Sequence, residues 1–228
     1  MRFNHMDMKD LEKQLQDASS SRLKVIVTDG VFSMDGDIAP LPQIVELAKR
    51  YDAFTFVDEC HATGVFGKHG KGTPEYFNIE GEIDVITSTL GKALGGGTGG
   101  YTAACDEVVD ILRNKGRPYL FSNSIAPAVA GASIEVFNML SESTELLDNL
   151  RRNTTDFRTK MKAAGFKVIG HDNCPIAPVF LEDARLASDF ADELMDHGIY
   201  VIGFSYPVVP KDKARIRCQL SGAHTQEQ

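Results

Sequence analysis

Lys92 stands between Gly91 and Ala93 and just ahead of Gly95-Gly96-Gly97, where small neighbours let a bulky planar ligand approach both the backbone and the amine. A desolvated lysine loses its proton more readily and can attack a carbonyl to form a Schiff base. Asp58 closes the apolar run Phe54-Thr55-Phe56-Val57. A carboxylate at the end of a buried strand is costly unless it meets a cation, and a protonated ring nitrogen would serve, making that ring an electron sink. His61, three residues on, has the reach to hydrogen-bond a phenolic oxygen of such a ring or to move protons. Ser88 and Thr89 offer hydroxyls, and the glycine-rich turn after them offers backbone N–H groups, for a phosphate. Arg215 and Arg217 alternate in a strand-like stretch, which puts both on one face, and a guanidinium grips a carboxylate bidentately. Singly, each residue has a plainer reading: a solvated loop lysine, a helix N-cap, a satisfied structural histidine, turn hydroxyls, a solvated edge strand.

What raises these residues together is their place in the chain. In open α/β sheets ligands sit in the crevice outside the carboxyl ends of the strands. The spacing predicts a helix from Met8, with Leu11, Leu15 and Ala18 in phase, and then a buried strand, Leu23 to Thr28. Asp29-Gly30 and Asp35-Gly36 mark turns, and Ser33 lies in the loop between them. A helix through Arg50, a strand at Phe54 to Val57 and a strand at Asp84 to Ser88 continue a βαβ rhythm, and extended structure resumes at Tyr101 to Cys105. A long helical region follows from Pro127 towards Ala164, broken near Ser141-Glu142-Ser143. Beyond it, Phe166 to Ile169, Ile176 to Leu181, a helix near Arg185 to His197, Tyr200 to Ile202 and Ala214 to Leu220 suggest a smaller α+β unit. The expected domains are 1–141 and 142–228.

Composition narrows the function classes. The 228 residues are 43% hydrophobic and 25% charged, which argues against a disordered or fibrous chain. Lys and Arg number 24 against 32 Asp and Glu, for a net charge of −8, and no basic run is present, so nucleic acid is not an expected partner. The apolar stretches are strand-length, short of the ~20 residues of a membrane-spanning helix, so no membrane is expected either. Cys60, Cys105, Cys174 and Cys218 are scattered, with no C-x-x-C pair, which points to free thiols and away from a metal site. The first residues lack the apolar core of a secretory signal.

Thr28-Asp29-Gly30-Val31-Phe32-Ser33-Met34-Asp35-Gly36, Asp58-Glu59-Cys60-His61-Ala62-Thr63-Gly64, Ser88-Thr89-Leu90-Gly91-Lys92-Ala93-Leu94-Gly95-Gly96 and Arg117-Pro118-Tyr119-Leu120-Phe121-Ser122-Asn123 resemble the α-oxoamine synthases, which are fold-type I pyridoxal-phosphate enzymes. The resemblance covers essentially the whole chain. It implies part of a large mixed-sheet α/β domain that binds the cofactor, followed by a smaller α+β domain. It implies that Lys92 carries pyridoxal 5'-phosphate as a Schiff base, that Asp58 pairs with the ring nitrogen, and that Ser33 and His61 lie at the phenolic-oxygen side. It further implies that Thr89 touches the cofactor phosphate, that Ser122 and Asn123 reach the phosphate of a neighbouring subunit in a homodimer, and that Arg217 holds the substrate carboxylate.

Within that family, Tyr119 to Asn123 and Gly203-Phe204-Ser205-Tyr206-Pro207-Val208-Val209-Pro210 most resemble the members whose reaction, as the resemblance implies, interconverts 2-amino-3-oxobutanoate and coenzyme A with glycine and acetyl-CoA. This is the second step of threonine breakdown, after a threonine dehydrogenase that would be a possible partner. The expected compartment is the mitochondrion for a eukaryotic chain and the cytoplasm otherwise. Against the family pattern, an N-terminal portion with a ring-stacking side chain and a glycine-rich phosphate segment is expected to be missing, as is a final helix. Cys218 and Gly222 stand where Val or Thr and Ala are expected. Two alternatives follow: a non-catalytic truncated isoform acting at most as a partner subunit, and a sibling synthase using another acyl-CoA.

Overall fold

The computed structural model describes residues 1–228. Its chain divides into two compact units, Met1–Val31 with Ala39–Thr144, and Phe32–Ile38 with Glu145–Gln228. The short segment Phe32–Ile38 thus belongs with the C-terminal unit, an arrangement that a single cut along the chain does not describe.

The first unit opens with α1 (Met8–Asp17), started by Asp7, whose carboxylate accepts from the N–H groups of Lys9 and Asp10 at 3.0 Å each. Its apolar stripe buries Leu11 and Leu15. After β1 (Val25–Asp29), a two-stranded ribbon of β2 (Val31–Phe32) and β3 (Asp37–Ile38) leads to α2 (Leu41–Tyr51). Helix α2 buries Leu41, Ile44, Val45, Leu47 and Ala48, packs against β4 (Phe54–Asp58), and stops where Asp52 turns left-handed. The short α3 (Thr73–Tyr76) precedes β5 (Val85–Thr89) and β6 (Gly100–Ala104). The sheet runs β1-β4-β5-β6, with the first three strands parallel and β6 antiparallel to β5. Three helices close the unit: α4 (Asp106–Lys115), α5 (Arg117–Phe121) and α6 (Pro127–Glu142).

The second unit carries α7 (Glu145–Ala163), β7 (Ile176–Glu182), α8 (Ala184–Asp196), β8 (Gly203–Phe204) and β9 (Ala214–Gln219). Its antiparallel sheet runs β7-β9-β8, so β9 is central, and α8 packs on all three strands.

Three segments depart from the sequence reading. Helix α4 is an addition: DEVVDILRNK has Val108, Ile111 and Leu112 at helical spacing, and its acidic first turn and basic last turn complement the helix dipole, although none of its residues is buried. Phe166 to Ile169 reduces to one bridge, Val168 to Val179, and Tyr200 to Ile202 is not strand, the pairing starting at Gly203. No helix is long and apolar enough to cross a membrane, and the four cysteines are unpaired.

Helix α7 is fixed by a buried arginine. Arg158 is buried, and its guanidinium donates to three main-chain carbonyls, from Nε to Cys174 at 3.0 Å, Nη1 to Ile169 at 3.1 Å and Nη2 to Ile176 at 2.8 Å. No apolar side chain can serve three acceptors at once. Arg158→Leu is therefore expected to cost about 3 kcal/mol or more, read as a fall in the urea midpoint of the full chain. A loss below about 1 kcal/mol would show that the three carbonyls find other donors.

Candidate active site

The site grows from strand register. Asp29 and Asp58 are partners in the parallel β1–β4 ladder, and Asp58 is in turn the partner of Thr87 on β5. Parallel partners point to the same face from strands ~4.8 Å apart. Two carboxylates and a hydroxyl thus stand in a row at the carboxyl ends of the strands. Asp58 is half-buried, and its Oδ1 accepts from the N–H of Cys60 at 2.8 Å. That bond closes a local Asx turn, and no helix follows, so the plainer reading of Asp58 as a helix N-cap fails.

Burial raises the pKa of Asp29; the charge of Asp58 adds to the shift and that of Lys92 opposes it. Cys60 is pushed up to about 11, by burial first and then by its contact with Asp58, again with Lys92 opposing, so it stays a thiol at neutral pH. Lys92 is therefore within electrostatic reach of Asp29 and of Cys60, which lie at the same strand ends as Asp58. Desolvation of the amine, part of the sequence reading, is not what the fold provides, since Lys92 is exposed.

The loop that carries Lys92 is folded on itself. Gly91 N–H donates to Thr89 Oγ1 at 3.1 Å, Gly95 N–H to Lys92 O at 3.0 Å, and Leu90 N–H to Gly99 O at 3.0 Å. Gly95 and Gly97 have φ of 71° and 84° with open space where a side chain would project. Thr89 Oγ1 also donates to Gly99 O at 3.3 Å, so its hydroxyl already serves the turn. Ser88 faces the opposite, buried side of the sheet and donates to Thr63 Oγ1 at 2.8 Å, which removes it from the candidate phosphate hydroxyls. His61 is half-buried in the turn after β4. Ser122 and Asn123 are exposed just beyond α5.

In the second unit, Ser33 and Arg217 come together, the Arg217 Nη1 donating to Ser33 O at 3.4 Å. The solvated-edge reading of Arg215 and Arg217 fails, because β9 is the central strand. Arg215 is committed within the protein, donating from Nη1 to Asp35 Oδ1 at 2.7 Å and to Met34 O at 3.0 Å. The structure thus gathers Lys92, Asp58, His61 and Thr89 at the strand ends of the first unit, and Ser33 with Arg217 in the second.

Two residues escaped the sequence reading. Asp29, which the sequence marks as a turn residue, ends the edge strand β1 in register with Asp58. Glu59 was passed over as the neighbour of Asp58. It is 1% exposed and accepts from Thr73 N–H at 2.7 Å and from the Thr73 hydroxyl. A side chain at Gly30 or Gly72 would collide with its carboxylate, at 1.9 and 2.1 Å. Burial pushes the Glu59 carboxyl from 4.5 up to about 7; the bonds from Thr73 oppose the shift and the charge of Asp58 adds to it.

A carboxyl whose pKa is raised on folding holds its proton in the folded chain where the unfolded chain has lost it. Its contribution to stability is full below about pH 4.5 and is lost as pH rises to about 7. The full span corresponds to ~3 kcal/mol. Glu59→Gln, which cannot titrate, is expected to flatten the unfolding free energy across that window. Equal slopes for the two proteins in urea titrations would assign the pH dependence to other groups.

The model of the aminotransferase class I and II family matches residues 1–228. The 2-amino-3-ketobutyrate coenzyme A ligase, mitochondrial, of Mus musculus is 54% identical over 226 residues, covering 99% of this chain and 54% of that protein. The 2-amino-3-ketobutyrate coenzyme A ligase of Escherichia coli (strain K12) is 54% identical over 229 residues, covering 100% of this chain and 57% of that protein. A solved structure of SPT with its PLP internal aldimine matches with a TM-score of 0.94 at 33% identity, covering 100% of this chain and 57% of that one. The chain spans just over half the length of the relatives it matches. With the family model matched from end to end and relatives 54% identical across the chain, the chain belongs to the aminotransferase class I and II family.

Proposed function

We propose that the chain is the core of a glycine C-acetyltransferase, interconverting 2-amino-3-oxobutanoate plus coenzyme A with glycine plus acetyl-CoA on pyridoxal 5'-phosphate. The observation that carries the reading is the convergence of one lysine with a row of carboxylates at the carboxyl ends of parallel strands. The names of the mouse and bacterial relatives support the reaction, and the PLP of the solved relative supports the cofactor.

The residues fit the group. Lys92 supplies an amine in a loop with open space at Gly95 and Gly97, and Asp58 supplies a half-buried carboxylate at the strand end that would pair with a ring nitrogen. When bound, the cofactor supplies a carbonyl for amines and an electron sink for the carbanion left by C–C cleavage. Asp58 would hold the ring cationic, and the second negative charge of Asp29 on the same face favours a cation there. His61 and Ser33 are assigned to the phenolic oxygen, Thr89 to the phosphate, and Arg217 to the substrate carboxylate. Lys92 Nζ, freed once the substrate amine is held, is the group placed to return a proton to the α-carbon of glycine. Because Lys92 is exposed, water would leave its amine only with the ligand in place.

The domain roles follow: 1–141 as the cofactor-binding part and 142–228 as the smaller domain. Ser122 and Asn123, exposed on the first unit, are assigned to the phosphate of a second copy in a homodimer. A threonine dehydrogenase would supply the substrate. The compartment proposed is the mitochondrion for a eukaryotic source, in keeping with the mouse relative's name, and the cytoplasm otherwise.

Pyridoxal phosphate added to the purified chain is expected to give a visible absorbance band that borohydride fixes covalently, and Lys92→Ala is expected to lose both. The wild type should then release acetyl-CoA from 2-amino-3-oxobutanoate and coenzyme A, with acetyl-CoA preferred over longer acyl-CoAs in reverse. A folded chain with no band would leave a non-catalytic partner subunit; a preference for a long acyl chain would make it a sibling synthase.

A further inference from the structure

The two arginines of β9 share a face and have opposite surroundings. Arg215 is 4% exposed, donates to the Asp35 carboxylate, and sends Nε to Lys213 O at 3.0 Å. Its charge is neutralised inside the protein. Arg217 has no acidic partner. Its Nη1 makes one long contact to Ser33 O, and its Nε is buried with no acceptor. Burial lowers the pKa of Arg217, and no acidic neighbour opposes the shift.

What Arg217 does have is an aromatic ring. Its guanidinium carbon lies 4.8 Å from the centroid of Phe204. Strand β8 sets this contact through its register: Phe204 is directly opposite Arg215 in the antiparallel β8–β9 ladder, so Arg217 is its diagonal neighbour on the same face. A carboxylate in place of the ring would satisfy the guanidinium and close it to ligands. A ring face stabilises the cation and orients its plane while consuming none of its N–H donors.

We infer that Phe204 is a positioning residue that holds the Arg217 guanidinium, uncompensated and with donors to spare, for the carboxylate of an incoming ligand. The inference rests on the assignment of Arg217 to the substrate carboxylate. It assigns a role to a residue of the Gly203 to Pro210 segment.

The test follows the Arg217 Nε–H resonance of the full chain, identified by its loss in Arg217→Lys, during titration with glycine and, as a control lacking the carboxylate, methylamine. Wild type is expected to shift with glycine and not with methylamine. Phe204→Leu should weaken the glycine response about tenfold, the size of a well-desolvated cation–π contact, while Phe204→Tyr stays within about twofold of wild type. Phe204→Met gives a second ring-free variant, and the Arg215 Nε–H signal shows in each case that the sheet is folded. Equal glycine affinity with and without the ring overturns the inference alone, as does an equal loss in the tyrosine variant. No glycine response in wild type overturns the carboxylate assignment of Arg217 and the inference with it.

Discussion

Burying the Glu59 carboxylate is the constraint around which the strand ends of the first unit are arranged. A carboxylate removed from water has to be met by donors or take up a proton, and Glu59 does some of both, with Thr73 bound and its pKa near neutrality. The space it occupies dictates glycine at two places, Gly30 just after β1 and Gly72 just before α3. Gly30 N–H also donates to Asp58 O at 2.8 Å, so the turn that Glu59 keeps free of a side chain is tied to the backbone at the end of β4. Adjacent residues thus divide the work, Glu59 packing the interior while Asp58 and its register partner Asp29 carry charge on the open face.

The second unit solves a related problem with the opposite sign. Two guanidiniums two residues apart on one strand face would repel if both were left bare. Arg215 is neutralised by Asp35, from the Phe32–Ile38 segment that joins this unit. Arg217 takes from the same segment only a main-chain oxygen, at Ser33. The segment that supplies Ser33 therefore also distinguishes the two arginines, and so places the residues Ser33 to Asp35 in a role that begins with packing and ends with charge.

Much of this was legible in the sequence. Strands β1, β4 and β5 announce themselves by β-branched and aromatic density, and the polar residue that closes the apolar strand β4 is what drew the reading to Asp58. The same pointer applied to Asp29 would have found the second carboxylate; the following glycine diverted the reading to turn chemistry. Ser88 could have been set aside by alternation, since β5 cannot turn two consecutive hydroxyls to one face. What spacing does not carry is who meets whom across the sheet. Register makes Asp29 the neighbour of Asp58, and order makes β9 central instead of an edge, and neither is written in any local pattern.

Exposure of Lys92 is the point where local legibility ends for a different reason. A glycine-rich loop is needed for close approach of a planar ligand, yet the same glycines leave the amine without walls of its own. On the proposed reading, a lysine so placed would draw its chemistry from what it binds. On the same reading, a ligand held beside it would displace its water, and the carboxylates at the strand ends would then act on amine and ligand through a medium of lower dielectric than they now share. The fold supplies the order of charges along the strand ends, and the ligand supplies the conditions under which that order has chemical force.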